Sequence, residues 1–187
     1  MAVTALDPKT ALIVIDLQKG IVTMQTAHSA AAVVARAADL ARAFRGHGLP
    51  VVLVNVVGGA PGRVEQSRSA SARPADWADL VPELDRQPSD HTVTKRTWGA
   101  FTNTGLREYL ERLGVTQVVI AGISTSAGVE STARSAHELG YNVTFATDAM
   151  TDTSLDAHTN SITRIFSRLG ETGTTAEIIG LVERSGP

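Results

Sequence analysis

Two rhythms of apolar residues alternate along the chain. Residues 10–17 carry the unbroken run Ala11-Leu12-Ile13-Val14-Ile15, closing on Asp16 and Leu17. A run of that length predicts a strand covered on both faces. Ser29 is a predicted helix N-cap. Val33, Val34, Ala37, Ala38, Leu40, Ala41 and Phe44 then fall on one helical face, and Gly46, Gly48 and Pro50 close that helix. Further strand patterns follow at 51–57, 92–95, 117–121 and 141–146. Between them, Thr104 is the expected cap of a helix carrying Leu106, Tyr109, Leu110 and Leu113, stopped by Gly114. A helix over about 128–139 carries Val129, Thr132, Ala133, Ala136 and Leu139, and Gly140 stops it. Ser154 opens another, with Ala157, Ile162, Ile165, Phe166 and Leu169 inward and Gly170 at its end. Thr174 and Glu177 form a capping box for a last helix through Ile178, Leu181 and Val182.

Strands alternating with helices predict a three-layer α/β/α sandwich around a mostly parallel, Rossmann-like sheet. The length, 187 residues, suits one domain over residues 1–187. The periodicity fails only over 58–90. There Gly58-Gly59-Ala60-Pro61-Gly62, the serine-rich residues 67–71 and Pro74 predict a long surface excursion, partly pinned by Trp77, Leu80, Val81 and Leu84. An excursion of that length is usually functional or disordered.

Composition narrows the function. A net charge of −2 with 19% charged residues gives no electrostatic pull toward nucleic acid or an anionic membrane. No apolar run approaches the roughly 18 residues of a membrane span, and residues 1–9 lack the pattern of a secretory signal. A soluble, cytoplasmic protein acting on a small molecule is the expectation. The absence of cysteine excludes disulfides, thiolate metal sites and cysteine nucleophiles.

Three strand ends carry the candidate chemistry. Asp16 ends the first strand, Lys95 the third, and Gly122-Ile123-Ser124-Thr125-Ser126-Ala127-Gly128 follows the fourth. In a parallel sheet these ends share the edge where ligands bind. A buried carboxylate there is a candidate acid or base with a tunable pKa. Position alone fits an exposed capping aspartate as well, and a surface lysine at 95. Ser124, Thr125 and Ser126 offer hydroxyls, yet His28, His47, His91, His137 and His158 are scattered, without the signature of a catalytic base. No metal-ligand spacing, glycine-rich dinucleotide turn or phosphate-binding lysine motif is present, so neither metal nor cofactor is expected.

Taken together, three blocks resemble the isochorismatase-like hydrolase superfamily, which includes nicotinamidases, carbamoylsarcosine amidases and isochorismatases. They are Val14-Ile15-Asp16-Leu17-Gln18-Lys19-Gly20, the segment from Lys95-Arg96-Thr97-Trp98-Gly99-Ala100-Phe101 to Leu106, and Gly122 to Val129. The resemblance runs from about residue 10 to 181. It implies that Asp16 and Lys95 match two members of an Asp–Lys–Cys triad, with Gly128 at the cysteine position. It further implies an oxyanion hole from the Ser124 and Gly128 N–H groups and a cis peptide between Ile123 and Ser124. Gln18, Trp98 and Phe101 would line the substrate site, and a homo-oligomer, dimer or larger, is implied.

Glycine at the cysteine position removes the thioester route. It fits the isochorismatases of the superfamily, in which the aspartate acts as an acid on an enol ether. Their turn carries an aromatic residue and a histidine where Ser124 and Ser126 stand here, so isochorismate itself does not follow from the resemblance. Arg63 or Arg96 is a candidate for a substrate carboxylate. The alternative is an inactive small-molecule-binding protein with the same pocket.

Overall fold

The structure, a computed structural model, describes residues 3–65 and 73–184. The serine-rich residues 67–71 lie outside that description. Six strands form one parallel sheet: β1 (Thr10–Ile15), β2 (Val51–Val56), β3 (His91–Lys95), β4 (Gln117–Ile123), β5 (Asn142–Thr151) and β6 (Glu171–Gly173), in the order β3-β2-β1-β4-β5-β6. Alternation along β1 divides its side chains between two cores. Ala11, Ile13 and Ile15 join one, and Leu12 and Val14 the other. A single helical turn, α1 (Lys19–Val22), follows β1; the second core includes α2 (Ala30–Gly46) and α6 (Thr175–Arg184), and the first includes residues of α3 (Leu106–Arg112) and α4 (Glu130–Glu138). The three-layer sandwich expected from the sequence is present.

The predicted caps form as well. Ser29 Oγ accepts from Ala32 N–H at 3.3 Å and Ser154 Oγ from Ala157 N–H at 3.2 Å. Thr174 and Glu177 close their box reciprocally, at 2.7 Å and 3.3 Å. Thr104 is one residue early: Gly105, at φ 74°, precedes the helix, while the Thr104 hydroxyl donates to Ala100 O and accepts Leu106 N–H at 3.4 Å.

Three departures matter for the site. β5 runs on to Thr151, past the expected end at Ala146, after a bulge that matches Ile120 to Phe145 but Gly122 to Met150. The helix expected over 128–139 begins instead as a π-helical turn, Thr125–Val129. The segment opened by Ser154 is a short helix, α5 (Leu155–Asn160), continued by π-helical and 3₁₀ turns.

Part of the 58–90 excursion is fastened to the body. Gln18 Nε2 donates to Val56 O and Trp77 O, and Asn55 Nδ2 donates to Ala78 O at 2.9 Å. The Trp77 ring lies against Gly20 so closely that a β-carbon there would sit 2.0 Å from it. Among the described residues, no helix is long and apolar enough to cross a membrane.

Candidate active site

The strand order reverses between β1 and β4, and in open α/β sheets that switch point opens a crevice at the carboxyl edge. Asp16 stands there as β1 ends. Its φ of 52° turns the chain out of the sheet; its N–H donates to Val54 O and its carbonyl accepts Gln18 N–H, each at 2.9 Å. Aspartate is among the few residues that enter this left-handed region readily.

Lys95, at the end of β3, reaches past β2 to this carboxyl. Its Nζ lies 2.7 Å from Asp16 Oδ2 and donates also to Thr97 O at 3.1 Å. Lys95 is 2% exposed and Asp16 5%, so the pair is buried, and the surface readings of both residues are excluded. Asp16 Oδ1 is buried with no hydrogen-bond partner among the described residues. Burial pushes the Asp16 carboxyl up from its ordinary 3.8 to about 6, outweighing the Lys95 charge and hydrogen bond, which pull it down. A carboxyl poised there holds and releases protons near neutral pH.

The turn after β4 completes the floor. The peptide between Ile123 and Ser124 is cis. A β-carbon on Gly128 would lie 3.3 Å from Asp16 Oδ2 and 3.7 Å from Lys95 Nζ, so this position faces the ion pair. It would also lie 2.9 Å from Ile15 Cγ2, a methyl that closes the space a side chain would enter. Thr132 donates to Gly128 O at 2.6 Å and accepts Ala100 N–H at 3.1 Å, tying the turn to the segment after Lys95.

Asp16, Lys95 and Gly128 therefore meet, and Ser124 opens the same turn. The other three predicted residues are placed differently. Gln18 is fully buried, its amide engaged with the backbone of Val56 and Trp77. Trp98 is 66% exposed on the segment that follows Lys95. Phe101 is half-buried, 6.0 Å from the Tyr141 ring, and lines a groove with Arg107, Glu138 and Leu139 that does not include Asp16. Among the described residues, no group of three His, Cys, Asp or Glu is arranged to hold a metal ion.

Two residues that sequence reasoning missed brace the turn. Asp152 Oδ2 accepts both the N–H and the hydroxyl of Ser126 at 2.8 Å. His158 Nδ1 lies 2.8 Å from Thr125 Oγ1, and its ring lies 4.7 Å from that of His28. A hydroxyl on a histidine has the form of a nucleophile and its base. Thr125 is 0% exposed, so it offers no hydroxyl to a substrate in this conformation. For Asp152 the signal is the one that marks Asp16, a carboxyl at a strand's carboxyl end, and it depends on β5 reaching Thr151; the spacing gives none for His158.

Residues 10–177 match the isochorismatase domain family. The YwoC isochorismatase family protein of Bacillus subtilis, described as uncharacterized, is 44% identical over 182 residues, covering 94% of this chain and 95% of its own. The streptothricin hydrolase of Streptomyces noursei is 35% identical over 141 residues, 74% of this chain and 48% of its own. An isochorismatase family protein from Burkholderia thailandensis superposes with a TM-score of 0.92 at 41% identity, covering 96% of this chain and 98% of that one.

Proposed function

The chain belongs to the isochorismatase family of hydrolases, and on that premise we propose that it hydrolyses a small enol ether with Asp16 as the acid. The observation that carries this reading is the buried Asp16 carboxyl, at about 6, with Lys95 on one oxygen and, among the described residues, no partner on the other. Gly128 stands where a triad thiol would, and the chain has no cysteine to form a thioester.

The proton of Asp16 passes to the terminal carbon of the enol ether, whose π electrons form the new C–H bond. The ether oxygen shares a lone pair with the adjacent carbon, giving an oxocarbenium ion. Water adds to that carbon and returns a proton to Asp16. The resulting hemiketal breaks its C–O bond, releasing an alcohol and a carbonyl compound. Lys95 steadies the carboxylate between the two proton transfers, and the Ser124 and Gly128 N–H groups polarise the substrate's oxygen. In this reading Trp98 borders the substrate, while the buried amide of Gln18 fixes the chain just after Asp16 and Phe101 lines a separate groove. The setting is cytoplasmic and the assembly a homo-oligomer of two or more copies, with no metal, cofactor or nucleic acid.

Turnover of isochorismate and simpler vinyl ethers by the wild type and by Asp16→Asn tests the proposal. Loss of turnover in the folded variant is expected, and unchanged turnover overturns the role of Asp16. Glycine at 128, which leaves the pocket without a thiol nucleophile, favours one competing reading, a pocket that binds without turnover. Binding of these compounds by a wild type that never converts them would establish it.

A further inference from the structure

Within the turn that presents Ser124 and Gly128, the Ala127 and Val129 N–H groups donate to Ser124 O at 3.2 and 3.1 Å, which leaves the earlier N–H groups to find acceptors outside it. Ser124 occupies its cap position, and no side-chain hydrogen bond caps the turn there. The first N–H groups of a helical segment have no partner within it, so an acceptor must come from elsewhere. Here it comes from the end of β5. Asp152 is 3% exposed; its Oδ2 takes the Ser126 N–H and hydroxyl at 2.8 Å, while its Oδ1 takes Ser154 N–H at 3.3 Å and Thr153 Oγ1 at 3.4 Å. His158, 8% exposed, meets the buried Thr125 hydroxyl at 2.8 Å. The loop before α2 fastens to the same strand end: Ala27 N–H donates to Asp152 O, and His28 N–H to Thr151 Oγ1.

Both braces act on residues that lie between Ser124 and Gly128. Thr125 and Ser126 set the direction in which the peptide groups on either side of them point. A buried carboxyl is costly without donors, and the donors to the Asp152 carboxyl are Ser126 of this turn and its own neighbours Thr153 and Ser154. We infer that Asp152 and His158 are positioning residues, which aim the N–H groups of the 124–128 turn at the substrate oxygen. The inference rests on the hydrolase reading for its kinetic consequence, but not for its structural one.

The test pairs amide hydrogen exchange with kinetics in Asp152→Ala, His158→Ala, Asp152→Asn and His158→Asn. Asparagine at 152 keeps an acceptor for Ser126, and asparagine at 158 sets an amide where Nδ1 stands. The alanine variants are expected to exchange the amides of 124–129 at least about tenfold faster, with the core amides of β1 and β4 unchanged. With isochorismate as probe, their kcat is expected to fall about ten- to a hundredfold with KM within about threefold, and the asparagine variants to recover most of it. Unchanged exchange at 124–129 overturns the inference. So does equal acceleration throughout the core, which marks a merely structural role, or full kcat with a loosened turn. A wild type that does not turn over isochorismate defeats the hydrolase reading for that probe; the exchange pattern then decides the positioning role by itself.

Discussion

A β-carbon on Gly122 would lie 2.1 Å from the carbonyl oxygen of Ile15. The two residues are register partners at the ends of β4 and β1, one step before the cis peptide and Asp16 respectively. Gly122 also has φ 126°, a conformation that side chains resist. This contact sets how closely the turn after β4 approaches the carboxyl after β1. Gly122→Ala is therefore expected to cost about 3 kcal/mol or more, since backbone rather than a flexible side chain must move. Thermal and urea unfolding measure it, and a loss under about 1 kcal/mol would show that the strands part easily.

β1, β2 and β4 are legible in the sequence because both faces of the sheet are buried there, so each reads as a largely apolar run. β6 is not: Glu171, Thr172 and Gly173 make a short edge strand with no apolar pattern, held by pairing to residues 144–146. β5 is legible only to its bulge, beyond which Thr147 and Asp148 are half-buried and read as loop. Asp16, Lys95 and Gly128 can be brought together on paper because parallel topology puts strand ends on one edge. Asp152 is hidden by the misjudged end of β5. The fully buried amide of Gln18 and the groove chosen by Phe101 depend on side-chain packing, which spacing along the chain does not encode.

The rate of the proposed reaction should follow protonated Asp16. With its carboxyl at about 6, kcat/KM is expected to be level at lower pH and to fall about tenfold per unit above it. The Lys95 charge and hydrogen bond both lower that value, so Lys95→Met should move the falling limb to higher pH. The buried carboxyl then stays neutral, which limits the cost of losing its partner. Profiles of kcat/KM against pH for both proteins measure this. A limb that stays near 6 in Lys95→Met assigns it to another group.

Acid stability carries a signature of His158. Burial first, then His28, lowers its pKa below the ordinary 6.5, while Asp152 opposes them. Above 6.5 the ring is neutral folded or unfolded. As pH falls below that, the unfolded chain takes the proton first, so stability is lost until the folded value is passed. Asp16 works in the opposite sense, because its raised carboxyl binds a proton first in the folded chain between about 6 and 3.8. The His158 share is isolated by comparison with His158→Asn, as urea midpoints at pH 7.5 and 5.5. The advantage of wild type over variant should shrink at the lower pH; a constant advantage would show that His158 does not titrate in this window.

Gly128 and Ile15 make a second close approach, different in kind from the first. A β-carbon on Gly128 would meet the Ile15 Cγ2 methyl at 2.9 Å, closer than ordinary contact. That methyl branches directly from the β-carbon of a fully buried strand residue, so it cannot swing aside as the end of a long side chain would. Gly128→Ala is expected to cost about 1–3 kcal/mol as an overpacking change. It should also reduce kcat, because whatever yields is one residue from Asp16, whose Oδ2 would lie 3.3 Å from the new carbon. A double-mutant cycle identifies the methyl. Ile15→Ala removes Cγ2, so its combination with Gly128→Ala should be about 1 kcal/mol more stable than the two separate costs predict. Ile15→Val keeps Cγ2 and should show no such coupling. Equal coupling in both cycles would show that the turn itself, and not the Ile15 methyl, keeps a side chain out of position 128.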